Sequence, residues 1–238
     1  MDATIRRLEA IDWSAAEAAL DEGGFATLPG LLDAPTCAAL TALHDDDTAF
    51  RNRVVMARHG FGRGTYGYLA YPLPPLVITL RTRLYPPLAA IASRWGARLG
   101  PDDAPPYPLA HDDFLARCHA DGQTRPTPLL LAYGPGDFNC LHQDLYGAHV
   151  FPLQVAFLLS RPVDDFAGGE FVLTEQRPRR QSRAEVVPLA QGDAVVFAVN
   201  ERPVQGARGV YRGRMRHGVS RVRAGRRFVL GVIFHDAP

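Results

Sequence analysis

The chain has 238 residues, 47% of them apolar and 21% charged, with a formal charge of +1, a makeup that fits one soluble globular domain with a substantial core. It has no run of about 18 apolar residues, which argues against a membrane helix, and its start, "MDATIRRLEAIDWSAAEAAL", lacks the apolar centre of a secretory signal. Cys37, Cys118 and Cys140 are odd in number and far apart, so a disulfide framework is not expected and a reducing cytoplasm is.

The small net charge conceals an asymmetry. Residues 1–50 carry 2 Arg against 10 acids, residues 51–160 carry 10 Arg and 7 acids, and residues 161–238 carry 14 Arg and 8 acids. All 26 cations are Arg. A guanidinium fork matches carboxylate or phosphate, so an anionic ligand is one reading; a codon bias toward Arg is the other.

In chain order, "DWSAAEAALDEGG" (12–24) predicts a short helix stopped by paired glycines, and "FATLPGLL" (25–32) a strand. "DAPTCAALTALHDDD" (33–47) has a capping Asp33 with Pro just inside, then helix-period apolar residues. Residues 51–72 are rich in Arg, Tyr and Gly and read as an irregular loop or hairpin. Residues 73–100 read as two helical pieces broken at Pro86-Pro87, and "HDDFLARCHADG" (111–122) as another short helix. After Pro128 the pattern changes to short β-branched and aromatic runs separated by turn residues, at 129–133, 149–160, 169–175, 184–189, 193–199, 217–222 and 227–234. Helices first and strands after predict an α+β chain ending in a sandwich of about seven or eight strands, of the jelly-roll kind.

"YGPGDFNCLHQD" (133–144) holds the first candidate site. On a strand, His142 and Asp144 share a face and Gln143 points the other way. A third ligand would be His217, 75 residues on, in "RMRHGVSRV", read as opening the penultimate strand. Two His and one carboxylate leave positions open on a metal, as in non-haem Fe(II) oxygenases. His44, His59, His111, His119, His149 and His235 are read as surface or core residues, His235 the least safely because "FHD" resembles a ligand pair. Ten residues past His217, Arg227 follows a turn glycine in "AGRRFVL". A guanidinium entering a sandwich interior is costly unless an anion meets it, and its fork suits a distal carboxylate; the alternative is a surface Arg.

His142-x-Asp144, His217 and Arg227, in this order over a β-rich half, resemble the Fe(II)/2-oxoglutarate-dependent dioxygenases across about residues 129–238. "FATLPGLLDAPTCAAL" also resembles the strand and helix with which many of them begin. The resemblance implies a double-stranded β-helix (jelly-roll) core with N-terminal helices packed on it. Residues 1–128 would be a helical and substrate-lid region and 129–238 the catalytic core, within one compact domain. It implies Fe(II) held by His142, Asp144 and His217, and 2-oxoglutarate gripped by Arg227. Oxygen would then split the co-substrate to succinate and carbon dioxide while the substrate is oxidised.

"Y-x-P-G-x5-H-Q-D" (133–144) resembles the same stretch of the AlkB-type nucleic-acid demethylases, in which the tyrosine, here Tyr133, reaches the co-substrate. "RVVMARHGFGRG" and "GGEFVLTEQRPRRQSRAEVV" look like a bacterial family grouped with oxidative DNA-damage repair. The first stretch and the residues just before it supply Arg51, Arg53, Arg58 and Arg63 beside Tyr66, Tyr68 and Tyr71, cations for phosphates and rings for a flipped or single-stranded base. Arg58, Arg63, Tyr66 and Tyr68 are therefore the candidate substrate contacts, and "RPRRQSR" (177–183) a second phosphate loop; a solvated hairpin is the alternative. The sequence departs from AlkB enzymes in the short His217-to-Arg227 gap, which resembles prolyl hydroxylases, and in Leu131, two before Tyr133. The expected activity is oxidative demethylation of alkylated DNA or RNA; the alternatives are hydroxylation of a protein side chain or small molecule, and a non-catalytic binding module.

Overall fold

The computed structural model describes residues 2–100 and 106–238. Its first half holds helices α1 (Asp2–Glu9), α2 (Trp13–Gly23), α3 (Ala34–Ala42), α4 (Pro75–Leu99) and α5 (His111–Ala120). Strands β1 (Phe25–Leu28), β2 (Phe50–Val55), β3 (Gly62–Arg63) and β4 (Thr65–Leu69) lie between them. The second half is strands only: β5 (Leu129–Tyr133), β6 (Phe138–His142), β7 (Leu153–Leu158), β8 (Phe166–Gly168), β9 (Phe171–Gln176) and β10 (Arg183–Val187), then β11 (Ala194–Ala198), β12 (Glu201–Gly206), β13 (Gly209–Val219), β14 (Val222–Gly225) and β15 (Arg227–Val232).

The larger sheet runs β1-β11-β7-β15-β5-β4-β2; the smaller runs β10-β9-β13-β6-β3, with β12 also paired to β13. The pairs are antiparallel, and the two sheets enclose one cavity, the double-stranded β-helix of an α+β chain. β7, β11 and β15 are buried along their whole length, which explains why they read as continuous apolar runs rather than alternating ones. The larger sheet takes strands from both sides of residue 128: β1, β2 and β4 come from the first half. Residues 51–72, read as a loop or hairpin, therefore supply two strands of that sheet and one of the other.

Two expectations are corrected. α4 is one continuous helix through Pro86 and Pro87 rather than two pieces. Leu84, Tyr85, Leu88 and Ala89 on either side are fully buried, while Pro86, Thr82 and Arg83 are exposed. The carbonyls of Thr82 and Arg83, which lose their i+4 donors, thus belong to solvent-exposed residues where water can serve them, and packing holds the helix together. The strand expected at 217–222 is instead β13, which starts at Gly209, so His217 lies near its end and does not open it. The polar alternation of "GVYRGRMRHGV" hid it.

Candidate metal centre

His142 ends β6 and is the register partner of His217 on β13, so the smaller sheet alone brings the two imidazoles together. Their ring centroids are 4.2 Å apart. Asp144, two residues past β6, completes the group: its carboxylate lies 3.5 Å from Nε2 of His142 and 3.4 Å from Nε2 of His217. One ligand atom from each residue lies within 4.8 Å of the others, close enough to share one metal ion. His142 Nδ1 donates to the Cys140 carbonyl at 2.8 Å, which fixes the ring and leaves Nε2 for a metal. The Tyr146 hydroxyl donates to Asp144 at 3.1 Å, and Phe197 packs against His217 with centroids 4.6 Å apart.

The electrostatics match that geometry. Burial alone would raise the Asp144 pKa, but hydrogen bonds and charge from His142 and His217 hold it well below the ordinary carboxylate range. Burial disfavours the imidazolium of His142, yet Asp144 outweighs it and raises its pKa, whereas for His217 burial wins and lowers it.

Arg227 opens β15 beside Tyr133 of β5, its register partner, with the guanidinium 5.6 Å from the tyrosine ring centroid. The turn before it is set by Gly225 at φ 74°, and a Cβ on Gly169 (φ 65°) would come within 2.9 Å of the Arg227 side chain. Arg227 is 2% exposed. Among the described residues, its Nε and Nη1 and the Tyr133 hydroxyl have no hydrogen-bond partner, and no carboxylate lies within ion-pairing distance of it; Glu170 acts on it only from further off. Burial pushes its pKa down to about 10. Such a charge is costly unless an anion completes the site. The exposed Arg226 lies over Phe228 and the exposed Arg221 over Phe138, so neither substitutes for it.

The triad, Arg227 and Tyr133 line one cavity of about 390 Å³. An unmatched guanidinium at one wall and a two-His, one-carboxylate set at another fit a dicarboxylate whose far end chelates the metal, so the residues present suit both iron and 2-oxoglutarate.

Of the expected substrate contacts, Tyr66 and Tyr68 line this cavity, their rings edge to face at 5.4 Å. Arg58 and Arg63 do not line it; both are exposed on the flap that carries the lining residues Gly60 and Phe61, and Arg63 is 3.9 Å from Asp137. Arg51 binds the Pro126 carbonyl and lies over Tyr68, and Arg53 pairs with Asp47 at 2.8 Å, so these two are structural. Cys140 is exposed at the cavity wall. His235 is buried outside the triad, accepting from the Phe151 N–H.

Two cavity residues escaped the sequence. Tyr146 follows the motif at a spacing with no period to flag it. Gln154 lies inside the apolar run of β7, 6% exposed, with Oε1 lacking a partner among the described residues. A lone Gln in such a run is itself a signal, since buried amides are normally paired.

Residues 64–237 match the model of the Oxygenase-NA family, described as "Oxygenase, catalysing oxidative methylation of damaged DNA". Uncharacterized proteins of two Mycobacterium tuberculosis strains are 52% identical over 166 residues, 70% of this chain and 70% of theirs. Among solved structures, a 2OG-Fe(II) oxygenase family oxidoreductase of Burkholderia pseudomallei superposes with TM-score 0.55 at 18% identity, covering 96% of this chain and 93% of that one. A Pseudomonas putida prolyl-4-hydroxylase gives 0.51 at 16%, covering 95% and 99%. Fold and donor set together define an oxygenase of the Fe(II)/2-oxoglutarate superfamily, an oxidoreductase with Fe(II) and 2-oxoglutarate as cofactors. The chain belongs to the Oxygenase-NA family.

Proposed function

We propose that this oxygenase removes methyl groups oxidatively from alkylated nucleic-acid bases, acting in repair of damaged DNA. The observation that carries the reading is the shared cavity: the triad, a buried Arg227 without a counter-ion, and the rings of Tyr66, Tyr68 and Tyr146 all face one space. The description of the family, which names damaged DNA, supports it. Oxygen entering an N–CH3 group gives a carbinol that breaks its C–N bond, leaving the N–H base and formaldehyde.

In this reading His142, Asp144 and His217 hold the iron on three positions, and Tyr146 and Cys140 fix the angle of Asp144 and His142. Arg227 grips the distal carboxylate of 2-oxoglutarate, with the Tyr133 hydroxyl as a further donor. Bound there, 2-oxoglutarate supplies two electrons by its oxidative decarboxylation to succinate and carbon dioxide. The tyrosine walls stack a planar base and keep water from the reacting methyl. Three unbridged cysteines suit a reducing, cytoplasmic setting.

A second reading, hydroxylation of a protein side chain, is favoured by the ten-residue spacing from His217 to Arg227 and by the prolyl hydroxylases among the structural neighbours. Purified protein with Fe(II), 2-oxoglutarate and methylated single-stranded oligonucleotides separates the two. Demethylation predicts succinate and formaldehyde rising together and vanishing in His142→Ala. Succinate without formaldehyde, formed only with peptide substrates, contradicts it.

A further inference from the structure

Outside the catalytic cavity, a second concavity of about 510 Å³ lies on the outer face of the smaller sheet. Strand alternation dictates its lining. On β13, Met215 and His217 turn inward and are buried, so Arg214 and Arg216 turn outward and are exposed. On β9, Leu173 and Glu175 are buried, leaving Thr174 and Gln176 on the outer face. Leu141 and Gln143, flanking the metal ligand His142, line both spaces, so the groove lies directly against the catalytic cavity at that strand. Gln143 is pinned there, donating to Asn200 Oδ1 at 2.6 Å and the Met215 carbonyl at 2.8 Å.

The far end of the groove is the base of the hairpin between β9 and β10, where Gln176 and Ser182 hydrogen-bond to each other. This hairpin carries "RPRRQSR" (177–183), and Gln176 ties its tip through the carbonyls of Arg177 and Arg180. Some of the nearby arginines are neutralised: Arg177 by Glu175, Arg183 by Glu185, and Arg214 by Glu201, the one carboxylate among the described lining residues. Arg179, Arg180 and Arg216 are exposed and have no ion-pair partner among the described residues. An uncompensated basic path leading from a catalytic rim raises the local concentration of a polyanion and guides its approach. Thr174, the register partner of Arg216, lies two residues before the end of β9, and Arg179 and Arg180 lie in the turn that follows, so these cations belong to one edge of the smaller sheet.

We propose that this groove binds the sugar–phosphate backbone of a single strand next to the base being demethylated, with Arg216, Arg179 and Arg180 contacting phosphates. The inference rests on the nucleic-acid reading above and adds to it a path for the strand: past Leu141 and Gln143, across β13, toward the β9–β10 hairpin. It also explains how the chain contacts nucleic acid although Arg51 and Arg53 are committed to the fold.

The test is anisotropy of a labelled single-stranded oligonucleotide over a salt series, with full-length protein and Fe(II). The triple variant Arg179→Ala/Arg180→Ala/Arg216→Ala is compared with Arg83→Ala/Arg161→Ala/Arg223→Ala, which removes the same charge elsewhere on the surface. Each lost phosphate contact lowers the slope of log K against log salt by about 0.7 for single strands, so the groove variant should lose about 2 in slope and the control little. Equal slopes for the two variants, or a slope unchanged from wild type, overturn the groove while leaving the demethylase reading intact. A wild-type protein that binds no oligonucleotide at low salt, and releases no formaldehyde from methylated ones, overturns both.

Discussion

At the Arg227 end of the cavity the walls are strand side chains closed off from solvent, with Arg227 and Tyr133 each 2% exposed. At the mouth, Phe61, Leu141 and Tyr146 are 48%, 45% and 37% exposed, and the cations beyond them, Arg58, Arg63 and Arg216, sit in water. A charge at the closed end has no solvent to fall back on, so its partner must be a particular anion with two oxygens in the right place. A charge at the mouth is already solvated and gains little from any single partner, so recognition there is spread over several contacts and depends on salt. Substitutions should therefore act strongly and singly at one end, weakly and jointly at the other.

The largest effect belongs to the triad. His217→Ala or Asp144→Ala should bring succinate formation to background and abolish stoichiometric Fe(II) binding, read by anaerobic metal titration. Near-normal turnover in either variant would mean that another group holds the metal.

Arg227→Met sharpens the comparison because two readouts move in opposite directions. On the proposed role of Arg227 as anchor of a co-substrate carboxylate, losing its buried charge should cost about 2–5 kcal/mol of binding, raising the KM for 2-oxoglutarate roughly 30-fold or more. The same substitution removes an unpaired buried charge, so without co-substrate the protein should melt at an equal or higher temperature. A fall in both would show that Arg227 has a structural partner instead.

Gln154→Leu probes the cavity floor. Satisfying no partner, the buried Oε1 costs the ligand-free protein about 1–3 kcal/mol, so the leucine variant should be no less stable by denaturant titration. If the amide meets a ligand, KM for substrate or co-substrate should rise by about tenfold, and an unchanged KM for both would assign it to packing.

The acid limb of stability should come from two buried histidines outside the cavity. Burial, foremost, pushes His111 and His235 from 6.5 to about 4. Both are neutral when folded, so the unfolded chain binds more protons between these values and stability rises with pH across that window. Melting temperature should fall as pH drops from about 6.5 to about 4 and then stop falling on account of these groups. His111→Phe should flatten the slope.

The smallest effect is expected at the flap. Arg58→Ala/Arg63→Ala should weaken oligonucleotide binding only a few-fold and uniformly across sequences, with the salt slope falling by about 1.4 at most. A sequence-dependent loss would instead place these arginines on the bases.

The closed end was legible in the sequence because its chemistry needs fixed residue types at the ends of strands. His142, Asp144, His217 and Arg227 are rare enough among apolar neighbours to stand out, and β5, β7, β9, β11 and β15 are apolar enough to be counted. What stayed hidden depends on register and packing. α4 survives its prolines through burial on the opposite face, β13 alternates arginine with small residues, and Gln154 meets the cavity only because β7 pairs with β11 at Phe197. The open end was half legible: the sequence marked Tyr66 and Tyr68, which line the cavity, and Arg58 and Arg63, which do not. It also marked "RPRRQSR" without its link to Arg216, which only the β9–β13 pairing supplies.

The most direct test of the central claim is anaerobic titration of 2-oxoglutarate into Fe(II)-loaded protein, followed by the visible charge-transfer absorption of the chelate. Saturable absorption in the wild type, displaced to much higher concentration in Arg227→Met and absent in His217→Ala, is the predicted result. An identical titration in Arg227→Met would contradict the closed end as the co-substrate site.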